Sequence, residues 1–140
     1  MLDQNTAAQL KTLLERLEGP IELVATLDAS DKSAKIKELV EEIAALSDLV
    51  TARFDGTNKR APSFGVAKAG EQPRVFFAGL PMGHEFTSLI LALLQTSGYA
   101  PKVSNEALES IKGLGIKSDF DVFVSLSCHN CPDVVQALNL

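Results

Sequence analysis

Residues 21–46 read IELVATLDASDKSAKIKELVEEIAAL, and the change of period inside that stretch decides the architecture. Residues 21–27 are apolar or β-branched apart from Glu22, the composition of a strand. Asp28-Ala29-Ser30-Asp31 supplies a turn and a helix cap. From there Ile36, Leu39, Val40, Ile43 and Leu46 recur at helical spacing, while Lys35, Lys37, Glu38, Glu41 and Glu42 fall mostly on the other face. Ser47-Asp48 interrupts the helix, and residues 49–54 read as a second strand. Strand, helix and strand in succession favour a parallel pair joined by a right-handed crossover.

On the N-terminal side, Leu10, Leu13, Leu14 and Leu17 mark a helix with Asp3, Asn5 or Thr6 as caps and Gly19-Pro20 as its stop. The opening Met1-Leu2-Asp3 is acidic and helix-like, unlike the basic and apolar regions of a secretory signal. On the C-terminal side, residues 56–60 form a polar loop, and residues 62–67 make a third strand entered through Pro62. A turn at residues 70–73 leads to a fourth strand, residues 74–78, its hairpin partner. Gly79-Leu80-Pro81-Met82-Gly83 then opens a helix in which Phe86, Leu89, Ile90, Leu91, Leu93 and Leu94 leave little polar surface, so burial on most sides is expected; Ser97-Gly98 ends it.

Residues 20–97 thus read β-α-β-β-β-α. A mixed central sheet flanked by helices is the thioredoxin-like (glutaredoxin-like) α/β pattern. Ser104 caps a further short helix carrying Leu108, Ile111 and Leu114, stopped by Gly113 and Gly115. A strand over residues 120–126, the turn Cys128-His129-Asn130-Cys131 and a helix from near Pro132 complete the chain. Helix, strand, turn and helix therefore recur about 100 residues on (residues 3–46 against 104–140), a duplication whose second copy is unfinished. In the first copy the turn at residues 28–31 holds no cysteine. Pro62 falls where such folds place a cis-proline, and a cis bond is expected on that analogy.

Composition bounds the function. The 140 residues, 46% hydrophobic and 22% charged, suit one ordinary domain or two small ones. A net charge of −5 argues against a nucleic-acid-binding face. No apolar run approaches the roughly 18–20 residues of a membrane span. Two cysteines in a CxxC, in a chain that reads as cytoplasmic, point to redox or metal chemistry before a structural bridge.

A strand-to-helix turn is a reactive place for thiols, because the helix N-terminus favours a thiolate. In a thioredoxin-like CxxC the first thiol attacks and the second resolves, which assigns Cys128 as nucleophile and Cys131 as resolving thiol. His129 either favours that thiolate or is solvated filler. Pro132 fits the helix's first turn and Asp133 its dipole. A zinc site would need two more ligands, and of the two histidines His129 is badly placed between the thiols; His84 reads as a capping or surface residue. A purely structural disulfide with so short a loop gains little entropy. An idle dithiol on a dimerisation module remains open, since the half-built second copy leaves an apolar strand and helix needing cover. Association as a homodimer, by exchange of residues 104–140, is the expectation.

Ser127-Cys128-His129-Asn130-Cys131-Pro132-Asp133-Val134-Val135-Gln136-Ala137 closely resembles the redox-active segment of the bacterial alkyl hydroperoxide reductase F subunit. Leu80-Pro81-Met82-Gly83-His84-Glu85-Phe86-Thr87-Ser88-Leu89 and residues 1–46 are similar to the same family. The resemblance implies an NADH-dependent FAD protein that reduces a partner peroxiredoxin in peroxide defence. It also implies two consecutive thioredoxin-like folds: residues 1–100 without a dithiol, and residues 101–140 as a linker helix and the start of the working fold. This sequence has no GxGxxG after a strand and no second CxxC, so neither FAD nor NADH is expected to bind it. With Leu140 about one or two helical turns past the dithiol, a fragment of a longer protein is expected, its dithiol exchanging with that protein's flavin domain. A self-contained glutaredoxin-type oxidoreductase acting on small thiols is the alternative.

Overall fold

Each helix of the first hundred residues starts where its sequence dictates. Our computed structural model describes residues 2–101, 103–115 and 118–140; Met1, at the head of the acidic opening, lies outside them. Asp3 is extended and its Oδ1 accepts from Thr6 N–H at 2.7 Å, capping α1 (Gln4–Leu14). The helix closes a turn before Gly19-Pro20, through Glu15 N–H to Thr12 O and Arg16 N–H to Leu13 O. Ser30 caps α2 (Asp31–Ala45), accepting from Ser33 N–H at 3.3 Å, and that helix buries Ile36, Leu39, Val40 and Ile43. The apolar α3 (Phe86–Thr96) follows a 3-10 turn, Gly83–Glu85, and buries Leu89, Ala92, Leu93 and Leu94.

Four strands form the sheet: β1 (Ile21–Thr26), β2 (Val50–Arg53), β3 (Ser63–Lys68) and β4 (Val75–Phe77), in the order β2-β1-β3-β4. The crossover through α2 makes β1 and β2 parallel, Ile21 opposite Val50 and Val24 opposite Arg53. The β1–β3 pair is antiparallel over six positions, from Ile21 opposite Lys68 to Thr26 opposite Ser63. The expected hairpin brings Phe64 opposite Phe77, with ring centroids 5.5 Å apart. Neither β1 nor β3 shows alternation: five of six residues in β3 are buried, because helices cover both faces of a central strand. The mixed sheet flanked by helices is the thioredoxin-like arrangement, and the Ala61–Pro62 peptide entering β3 is cis, as the fold analogy expected.

One expected element is missing. Residues 120–126 form no strand, although their composition is that of one. A strand is held by a neighbour's main chain, and the four strands among the described residues pair only with one another. The segment instead runs, exposed throughout, past the loop that precedes Pro62, where Asp121 meets Arg60 at 3.0 Å. Around it, α4 (Asn105–Lys112) is capped by Ser104 but buries no residue, and α5 (Cys131–Asn139) lies against α3.

The core therefore sits in the first hundred residues, with Leu39 fully buried under the sheet. Leu39→Ala is expected to cost about 2–5 kcal/mol in urea unfolding. Leu114→Ala, at a side chain 65% exposed, should stay within about 0.5 kcal/mol.

Candidate functional site

The last helix begins at the second thiol. Cys131 is the first residue of α5, Pro132 occupies its first turn without an N–H to leave unpaired, and Asp133 adds a carboxylate there. The approach is a tight turn closed by Cys128 N–H to Ser125 O at 3.0 Å, with the Ser125 and Ser127 hydroxyls 3.0 Å apart. Cys128 and Cys131 are joined as a disulfide with Cα atoms 5.5 Å apart, both half-buried. Cys131 N–H points at Cys128 Sγ, 3.2 Å away. A main-chain donor at a helix N-terminus, aimed at the first sulfur, is what a Cys128 thiolate needs when the bond opens.

Three contacts hold this turn on the first hundred residues. Gln136 Nε2 donates to the buried Ser88 Oγ of α3 at 3.2 Å. His84 N–H donates to Leu126 O at 3.3 Å. Gly83, at φ +60°, lets the chain pass: a Cβ there would lie 3.0 Å from Leu126 O. The third contact is Arg60, which bonds Asp121 and sits 5.7 Å from the centroid of the Phe123 ring. The hydrogen bond to Arg60 holds the Asp121 carboxyl below its ordinary range, and Asp121 in turn raises Arg60.

His84 does not cap α3, since no side chain bonds that helix's first turn. Its exposed ring lies 4.5 Å from that of His129, so the two histidines meet beside the disulfide. Glu85, next to it, is 3% exposed, and its Oε1 has no partner. That buried carboxyl is the feature the sequence reading passed over. Its signal was a charged residue at the doorstep of the most apolar helix of the chain. No group of three His, Cys, Asp or Glu among the described residues is arranged to hold a metal.

The turn that opens α2 is built without sulfur. Asp28 Oδ1 accepts from Ser30 N–H at 2.9 Å, from Ser30 Oγ, and from Ser33 Oγ at 2.7 Å. Asp28 N–H donates to Ser33 Oγ at 2.7 Å. Bonds from Ser30 and then Ser33 keep the Asp28 carboxyl below its ordinary range.

A mixed four-stranded sheet, a cis-proline entering its third strand and a CxxC disulfide opening a helix define a thioredoxin-like disulfide protein. Curated relatives sharpen that class. The F subunit of the Pseudomonas putida alkyl hydroperoxide reductase is 54% identical over 140 residues, all of this chain and 27% of the relative. Its Escherichia coli counterpart is 55% identical over 141 residues, again all of this chain and 27% of the relative. A solved structure of the Enterococcus faecalis F subunit, in a mutant form, superposes with a TM-score of 0.84 at 27% identity, covering 99% of this chain and 72% of that one. No protein-family profile matches the chain. The chain matches the N-terminal part of the alkyl hydroperoxide reductase F subunit and spans 27% of the length of these relatives.

The Arg60–Asp121 contact carries a pH dependence whose sign is fixed. A carboxyl with lowered pKa in the folded state adds stability above the ordinary carboxylate range and loses it as pH falls through the lowered value. Amide exchange over residues 118–126, relative to intrinsic rates, should therefore quicken on acidification. Asp121→Asn should abolish that step; an unchanged profile would show that the contact does not hold the segment.

Proposed function

We propose that Cys128 and Cys131 form a dithiol relay of a peroxide-defence reductase in the cytoplasm. In this reading residues 1–100 are a thioredoxin-like unit without a dithiol, and residues 101–140 begin the one that owns it. The observation that carries the reading is the Cys131 N–H aimed at Cys128 Sγ from the start of α5. Relatedness to proteins named as the F subunit of alkyl hydroperoxide reductase supports it.

The exchange balances as a two-electron transfer. The Cys128 thiolate attacks one sulfur of a disulfide in an oxidised peroxiredoxin, forming a mixed disulfide and releasing a peroxiredoxin thiolate that takes a proton. The Cys131 thiolate, having given up its proton, attacks Cys128 Sγ; the internal disulfide re-forms and the second peroxiredoxin thiol leaves. Reduction of Cys128–Cys131 runs the same exchange in reverse against a flavin-linked dithiol elsewhere in the longer relatives.

FAD and NADH would supply hydride chemistry to that distant dithiol, but the residues here do not fit either cofactor. Among the described residues the one parallel strand pair enters its crossover helix through Leu27-Asp28-Ala29-Ser30, with no glycine to admit a pyrophosphate. No step is routed through them in this chain. No helix among the described residues is long and apolar enough to cross a membrane.

The test is trapping. A reduced Cys131→Ser chain mixed with oxidised peroxiredoxin should accumulate a disulfide-linked adduct on non-reducing gels. Adduct from Cys128→Ser alone would reverse the two roles, and adduct from neither would end the proposal. We also assign self-association to the strip that includes Phe120, 68% exposed, and Phe123, 84% exposed. Sedimentation should show a dimer growing with concentration; a monomer throughout would overturn that part.

A further inference from the structure

The 3-10 turn Gly83–Glu85 is where the first hundred residues reach the dithiol, because α5 lies against it as well as against α3. The turn is tied down on both sides. Glu85 is buried and its N–H donates to Met82 O at 3.2 Å, while His84 N–H donates to Leu126 O at 3.3 Å. These bonds use main chain only, so the His84 side chain takes no part in them. Its ring is exposed and caps neither helix start. What it meets is the ring of His129, 4.5 Å away between centroids and tilted by 57°.

His129 follows Cys128 directly and is itself exposed. An exposed imidazole without a partner samples several rotamers, and a second ring packed against it narrows the choice. That choice matters in one redox state. The disulfide is neutral, whereas the opened turn carries a thiolate, and an imidazolium beside it stabilises the opened form alone. Few other titratable groups share the elements packed here. The helix α3 has none, the 3-10 turn adds Glu85, α5 adds Asp133, and Asp121 on the approaching segment is taken up by Arg60.

We propose that His84 is a positioning residue for the dithiol: its ring holds His129 beside Cys128 and, through His129, makes the disulfide easier to reduce. Reduction adds two electrons and two protons across the Cys128–Cys131 bond, and Cys128 then gives its proton to solvent. The imidazolium favours that last step, which draws the whole reduction forward. The role takes Cys128 as the attacking thiol, as in the relay above, but it is read without peroxiredoxin, so failure of one is distinguishable from failure of the other.

The experiment equilibrates this chain at pH 7 with dithiothreitol, whose two thiols close to a cyclic disulfide as the protein's bond opens. His84→Gln keeps the main-chain bonds of the turn and, at an exposed position, should leave circular dichroism unaltered. Its equilibrium constant for reduction should fall about three- to tenfold, roughly 15–30 mV for a two-electron couple. His129→Gln should lose at least as much, and the double variant should match His129→Gln, because His84 then has nothing to act through. In a Cys131→Ser background, the pH profile of iodoacetamide alkylation reads the Cys128 thiolate. The midpoint should move to higher pH in His84→Gln, and the two rates should converge near pH 9, where an imidazole is neutral. Glu85 and Asp133 are present in every variant compared, so neither enters the difference. An unchanged equilibrium and midpoint in His84→Gln, additive losses in the double variant, or a loss undiminished near pH 9 would each overturn the proposal. Failure to trap peroxiredoxin, with these shifts intact, would end the relay and leave the His84 role standing.

Discussion

The pairing of β1 along both of its edges is the constraint on which this molecule rests. Its parallel neighbour β2 can be reached only through a crossover, so α2 must lie across the sheet with its Ile36, Leu39, Val40 and Ile43 stripe inward. The antiparallel neighbour β3 runs the full length of β1, and the hairpin to β4 then leaves α3 to close the remaining surface. A strand so enclosed has no polar face, which is why β1 and β3 are buried almost end to end.

The sheet remains open at its β2 and β4 edges, yet the apolar segment of residues 120–126 joins neither. It is held by side chains and single bonds instead: Arg60 on Asp121, His84 N–H on Leu126 O, Gln136 on Ser88. The disulfide turn, by contrast, is built locally, by a helix that needs only its own first turn and a face to lie on. Cys128 and Cys131 thus sit on an ordered helix start behind a segment without a partner strand.

The turns that open α2 and α5 carry different chemistry. At residues 28–31 a carboxylate gathers serine hydroxyls and an amide; at residues 128–131 a sulfur accepts the amide and a second sulfur closes the ring. Both use the donors that a helix N-terminus leaves unpaired. Only the sulfur version can change its electron count. The carboxylate version fixes a turn permanently, next to a cleft lined by lysines.

By itself, the sequence determined the local structure of residues 3–97 and the helix start at Ser104. The stripe from Ile36 to Leu46, the Asp3, Ser30 and Ser104 caps and the punctuation at Ser47-Asp48 are properties of neighbouring residues, and physics at that range is readable in one dimension. Pro62 and the CxxC were legible for the same reason, as residues with few conformational or chemical alternatives. The tertiary structure alone decided the rest. Residues 120–126 have strand composition but no neighbouring strand, and a strand exists only as one of a pair. His84 and Glu85 looked ordinary until folding set one against His129 and buried the other without a partner for its Oε1. Lys32, Lys35, Lys59 and Arg60 are spread over residues 32–60, and only the crossover through α2 brings them to face one opening.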